Sequence, residues 1–502
     1  MIDNTTAKSV STAYLLVALV TVVVLVAPVL LIDYLPFCDY PNHLARVYVR
    51  GNYDRVPLLQ QTYLSHWQLS PYLAMDLIAV PLAHVMNAYW ASRLFLVVLV
   101  LSFCAGCYAL SASIQQRFTW IAPVSCFLVY SSAMQWGFVN YMFGVSVFML
   151  EFAVWLRWRK RWTPLKVAAF ALLAAFCYLC HLIGYILLGA SIGFVSLWDL
   201  WQRRTTIASA ALSIVPAMLP IGLFLLYLNR TGAQIAHDSA AWNTWRGKLA
   251  EALVMFRGYN TFQDACIVGA WAALLLVLAI KRRDLWVCRA GAALGALMLA
   301  LFLALPRSIA ANGDGDGFDG RFVLPGVLLL LFSLRLIPEE RFRRTAIAAA
   351  LVLSIFRLGL LTYEWSILSR RIESATALFA SLPEGARVYP AFYKRTGADA
   401  MKIDSALSHI LCYAVVERRI VNPSLYEVGQ FIEWRDRPKF VLWRQGQDLT
   451  PLDSYQYAWS YGEPPELRAL LIRSAMMIGE REGFTLWKLS AASSPTPVVL
   501  LR

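Results

Sequence analysis

The chain has 502 residues, of which 59% are hydrophobic and 15% charged, with a net charge of +14. Soluble domains are nearer half apolar and about a quarter charged, so this balance excludes an ordinary soluble protein. The positive charge is no nucleic-acid footprint, because it falls in short clusters between apolar runs: Arg157 to Arg161, Arg203-Arg204, Lys281 to Arg283 and Arg341 to Arg344.

Apolar runs of about 20 residues with few charges read as membrane-crossing helices. They predict spans at 12–32, 91–112, 120–135, 137–156, 165–182, 184–200, 206–228, 264–280, 287–305, 322–337 and 345–363, about 11 in all. Lys8 alone precedes the first run. That run is too long for a signal peptide and no small-residue cleavage site follows it, so it reads as an uncleaved signal anchor. With the N-terminus in the cytoplasm, alternation places the basic loops near 115, 160, 203, 283 and 341 inside, as the positive-inside rule asks. Segments 33–90, 229–263, 306–321 and everything after 363 then fall outside. Residues 73–90 carry Leu73, Leu77, Ile78, Leu82 and Val85 at helical spacing, interleaved with Asp76, Pro81, His84 and Asn87. Counted as a span, this stretch would invert every basic loop, so it reads as an interfacial helix on the outer face.

After 363, charges, prolines and short alternating runs appear. Strands are expected at 386–389, 439–443 and 484–489, and helices at 364–381, 404–418 and 465–478. The expected fold is therefore mostly α: a polytopic membrane domain over 1–363, whose first outer loop is 33–90, and a small C-terminal α/β soluble domain over 364–502. The expected location is the bacterial cytoplasmic membrane, with the C-terminal domain periplasmic. The 9 cysteines make no disulfide framework. Cys38, Cys266 and Cys412 can face the outside, where one bridge is chemically allowed. Cys177 to His181 lacks the second ligand pair a zinc site would need.

The most informative stretch follows the first span: Phe37-Cys38-Asp39-Tyr40-Pro41-Asn42-His43-Leu44-Ala45-Arg46. Charged groups this close to hydrocarbon are costly and need a reason. Asp39, His43 and Ala45 resemble the acid-then-histidine first loop of the GT-C superfamily of membrane glycosyltransferases, which includes protein O-mannosyltransferases and lipid A aminoarabinose transferases. Gly320-Arg321-Phe322-Val323-Leu324-Pro325 resembles the Arg-aromatic-x-x-Pro that opens a late helix in those enzymes. Tyr40 stands where many relatives carry a second acid. The resemblance implies transfer of a sugar from a polyprenyl-phosphate donor to a lipid, glycan or protein acceptor at the outer face, with inversion at the sugar carbon. No nucleic-acid partner is implied and no cofactor is required.

Such a reaction needs a carboxylate to take the acceptor proton and a cation for the leaving phosphate. Arginine suits the phosphate through its bidentate fork. Asp39 is the candidate base, His43 its orienting or sugar-binding partner, and Asp33 a candidate second acid. Arg46, Arg257 and Arg321 are the candidate phosphate ligands. Aspartates 314, 316 and 319 are compatible with a divalent metal, although the resemblance requires none. Plainer readings stand beside these. Asp39 also fits a helix N-cap ahead of Pro41. His66-Trp67 fits an interfacial belt, His181 a packed helix-end histidine, and the Gly-Asp-Gly-Asp-Gly run a solvated turn. A transporter or flippase of lipid-linked sugars would show symmetric halves, which are not seen. A polymerase or ligase of surface polysaccharide would carry its active groups in one large late outer loop. A non-catalytic membrane scaffold would be indifferent to Asp39.

Overall fold

A computed structural model describes residues 12–231, 241–280, 285–308, 317–336, 340–425 and 432–490. Lys8, His237, Asp238, Lys281 to Arg283, Asp314 and Asp316 lie outside the described residues. Each predicted apolar run folds as helix, and length decides which of them can cross a bilayer. Seven are long and apolar enough: Thr12–Leu31, Ala88–Gln115, Val139–Trp158, Leu182–Trp201, Ile207–Asn229, Thr261–Ile280 and Arg344–Ser381. The runs at 120–135, 165–182, 287–305 and 322–337 give shorter or interrupted helices, so the expected 11 is not reached by this measure. Pro164–Cys180 has 17 residues and Arg289–Ala304 has 16. Such helices rise roughly 25 Å, short of a ~30 Å hydrocarbon core. The chain is a mostly α, multi-pass membrane protein with a small sheet.

Contacts divide the chain into two compact units. The first comprises Met1–Leu31, Leu69–Ile78 and Arg93–Tyr363. Its helices approach closely through small residues: a Cβ on Gly184 would lie 2.7 Å from the Gly144 carbonyl oxygen. Close backbone approach of this kind is how helices pack where lipid removes the hydrophobic drive between them. The run at 120–135 breaks into Ile121–Cys126, a 3-10 turn Phe127–Tyr130 and Ser132–Gln135, with Ser131 extended between the last two. A broken helix leaves carbonyls without partners. Arg357 Nη2 donates to the Tyr130 carbonyl at 2.9 Å and supplies one. The short strands Leu285–Val287 and Leu334–Leu336 pair antiparallel at the ends of their neighbouring helices.

The second unit comprises Ile32–Gln68, Ala79–Ser92 and Glu364–Arg502, so first-loop residues share one compact body with the C-terminal ones. Strand Tyr63–Ser65 pairs antiparallel with Ile432–Trp434, and the Tyr63 and Trp434 rings lie 4.7 Å apart. The helix Tyr40–Asn52 packs on Leu411–Arg418. A Cβ on Gly51 would meet Ala83 Cβ at 2.5 Å, which explains glycine where that helix meets the end of Ala74–Ala83. A four-stranded sheet runs in the order Val388–Phe392, Tyr457–Tyr461, Phe484–Leu489, Ala475–Arg481. Its first pair is parallel and the others antiparallel. Trp443, Trp487, Tyr389, Leu467 and Leu471 fill the core beside it.

Three expectations here are corrected. Residues 439–443 form no strand, because their backbone bonds to a side chain: Trp443 N donates to Tyr389 Oη, and Tyr389 Oη donates to the Val441 carbonyl, both at 2.8 Å. The helix expected over 465–478 ends at Ser474, and Ala475–Arg481 turns into a sheet strand. The helix expected over 404–418 divides into Ala398–Leu407 and Leu411–Arg418. All nine cysteines are free thiols.

Candidate active site

In the second unit, Asp39 occupies the N-cap of Tyr40–Asn52, with Pro41 early in the helix. Its backbone carbonyl accepts from the His43 amide at 3.1 Å. Its carboxylate makes no cap hydrogen bond. The capping reading therefore fails on geometry, since a capping acid acts through its side-chain oxygen. That oxygen instead faces His409 Nε2 at 3.5 Å. Burial lowers the His409 pKa, Asp39 opposes the shift and Lys394 adds to it, so this imidazole stays neutral at neutral pH. Burial, helped by the Asp39 charge, pushes the Cys38 thiol up to about 12, and its Sγ lies 3.3 Å from Ser408 Oγ. Cys38 is thus no nucleophile at neutral pH.

His43 and Arg46 follow one helical turn later. Arg46 Nη1 lies 3.1 Å from His43 Nδ1. A guanidinium has no acceptor, so Nδ1 accepts and the ring proton sits on Nε2. Arg46 is only 1% exposed and orients His43 from within the helix packing. Asp33 is exposed. Arg50 lies over the Trp67 ring at 3.9 Å, and His66 faces Glu433 at 3.6 Å.

In the first unit, a cleft of about 190 Å³ is lined by Trp136, Phe138, Glu251, Arg307 and Arg321 among others. The Arg321 guanidinium lies over the Phe138 ring at 5.3 Å, and that of Arg257 over Trp136 at 5.5 Å. The two rings are stacked, with centroids 6.5 Å apart. Gln135 donates to the Arg257 carbonyl and Tyr141 to the Arg321 carbonyl. The left-handed turn that seats the rings is made by Gly137 at φ 82. Arg321 Nε is buried without a hydrogen-bond partner among the described residues. Glu251 is pushed up by burial and by the Asp319 charge, against Arg307, Asn243 and Lys248.

Asp319 is committed to structure. Its Oδ2 accepts from Lys248 Nζ at 2.6 Å and its Oδ1 from the Gly320 amide at 2.8 Å. Lys248 gives its other protons to the Phe302 and Leu305 carbonyls at 2.6 and 2.7 Å, closing the end of Arg289–Ala304. The pair holds the 3-10 turn Asp319–Phe322 that carries Arg321. His181 caps the Leu182–Trp201 helix by accepting the Ile183 amide at 3.0 Å, which makes it a packing histidine.

Asp39, His43 and Arg46 therefore cluster in one unit, and Arg257 and Arg321 in the other. Sequence reading missed His409, Arg307 and the Trp136–Phe138 pair. His409 lies 370 positions from Asp39 with no motif around it, and the two rings are hidden in an apolar run.

No protein-family model and no curated protein matches this chain. Solved structures do. ArnT from Cupriavidus metallidurans bound to undecaprenyl phosphate aligns at a TM-score of 0.52 and 14% identity, over 97% of this chain and 100% of that one. The same protein in its apo state aligns at 0.50 and 13%, over 96% and 98%. At such identities the likeness is one of fold. The chain shares the fold of ArnT over 97% of its length.

Proposed function

We propose that this protein is an inverting membrane glycosyltransferase that takes a sugar from a polyprenyl-phosphate donor and gives it to a hydroxyl-bearing lipid, glycan or protein acceptor. The observation that carries the reading is the full-length likeness to ArnT, one of whose structures holds undecaprenyl phosphate. In this reading Asp39 is the general base. It is a carboxylate at the start of the first outer helix, where the resemblance puts the base, and its oxygen lies 3.5 Å from His409 Nε2. His43 presents Nε2–H to a sugar or acceptor oxygen. Arg257 and Arg321 bear the charge that gathers on the leaving phosphate. Arg46 acts through His43 rather than on the phosphate, because it is buried against that ring. Asp33, exposed, is a weaker candidate for a second acid.

The acceptor hydroxyl loses its proton to Asp39 as its oxygen attacks the sugar carbon from the face opposite the phosphate. The carbon–phosphate-oxygen bond breaks, and polyprenyl phosphate leaves between the arginines. Both events would take place at the outer face of the inner membrane. The chemistry is tested with protein reconstituted in vesicles holding a polyprenyl-phosphate sugar, following release of the free lipid phosphate. No release with any such donor refutes the reading. The orientation is tested by a cysteine at position 450 in a Cys266→Ser background. Labelling by an impermeant thiol reagent in intact cells supports a periplasmic C-terminal region, and protection refutes it.

A further inference from the structure

A second cavity of the first unit, about 440 Å³, has no part in the proposed reaction. Its walls are mostly apolar, with Trp271, Leu274, Leu278 and Leu331 among them, and Arg117 and Arg335 also line it. It lies at the end of the Val323–Ser333 helix opposite Arg321, roughly 16 Å along the axis. One wall is the Thr261–Ile280 helix, of which only 6% is buried within the protein. That helix is apolar and long enough to cross a bilayer, and most of it is not covered by the rest of the protein. The volume is within the range of small-molecule sites. Two arginines in an otherwise apolar lining match, by charge, a phosphate head above acyl chains.

We propose that this groove binds an anionic glycerophospholipid, its chains along Trp271 and Leu278 and its phosphate against Arg117 and Arg335. The positive-inside reading makes this the cytoplasmic end, where anionic lipid is concentrated. The site is separate from the Arg321 cleft and does not depend on glycosyl transfer.

The test is native mass spectrometry of the delipidated full-length protein with phosphatidylglycerol, phosphatidylcholine or undecaprenyl phosphate added at equal concentration. Phosphatidylglycerol should be retained roughly ten-fold or more over phosphatidylcholine, as two surface arginines allow. Arg117→Gln with Arg335→Gln should bring that ratio near one. Arg203→Gln with Arg204→Gln, on another basic loop, should leave it unchanged. Leu278→Trp, which fills the groove and spares both arginines, should lower phosphatidylglycerol retention several-fold. Equal retention of the two phospholipids, preference for undecaprenyl phosphate, or an unchanged ratio in the Arg117/Arg335 variant overturns the proposal.

Discussion

The Asp39 cluster and the Arg321 cluster solve opposite electrostatic problems. Around Asp39, the carboxylate faces an imidazole that burial keeps neutral, and the Lys394 cation acts on both that ring and Cys38. Around Arg321, cations lie on aromatic faces, and a buried Nε lacks a partner among the described residues. The nearby acid, Asp319, is taken up by Lys248 instead. The contrast is in the neighbours: an imidazole beside the carboxylate, aromatic rings beneath the guanidinium groups. Cation–π contact holds a guanidinium in place without neutralising it.

The largest expected effect tests the scaffold behind the arginines. Lys248→Met leaves Asp319 buried and uncompensated, and should destabilise the protein by about 3 kcal/mol or more. Replacing both partners, Lys248→Met with Asp319→Leu, should recover most of that loss in a thermal melt. If the double variant is as unstable as the single one, the pair does not act as argued.

Next in size is Asp39→Asn, which keeps the side chain's shape but removes its basicity. Turnover should fall roughly 10²-fold or more while donor binding is retained. Wild-type turnover would leave Asp39 with no chemical role.

Arg321→Lys keeps the charge and loses the planar fork. Donor affinity should weaken about ten-fold with the melting temperature unchanged. An equal loss in the acceptor KM would place Arg321 elsewhere in the reaction.

The smallest effect concerns His409. Its folded pKa lies below the unfolded value of about 6.5, so the unfolded chain binds more protons between the two. The stability that comes from keeping this imidazole neutral is complete above about 6.5 and is lost as pH falls below it. His409→Asn should flatten that part of the stability–pH curve. An unchanged curve would mean that the ring does not report the Asp39 pocket.

Much of this was legible in the residues. Apolar runs located the helices because hydrocarbon demands long unbroken apolar segments, and Asp39 stood out because an acid beside hydrocarbon is costly. The strands at Val388 and Phe484 were visible from alternation and a preceding turn. The segment at 439–443 misled, since alternation cannot reveal that Tyr389 will bind its backbone.

By itself the sequence determined the membrane class, the helix positions and the acid and arginine worth testing, all of which depend on local composition. Only the tertiary structure decided that Asp39 meets His409, that Arg46 serves His43, that Asp319 belongs to Lys248, and that Trp136 and Phe138 carry Arg257 and Arg321. Those pairings join residues through packing, and burial fixes which partner each charge receives. A linear pattern of hydrophobicity and charge contains no term for either.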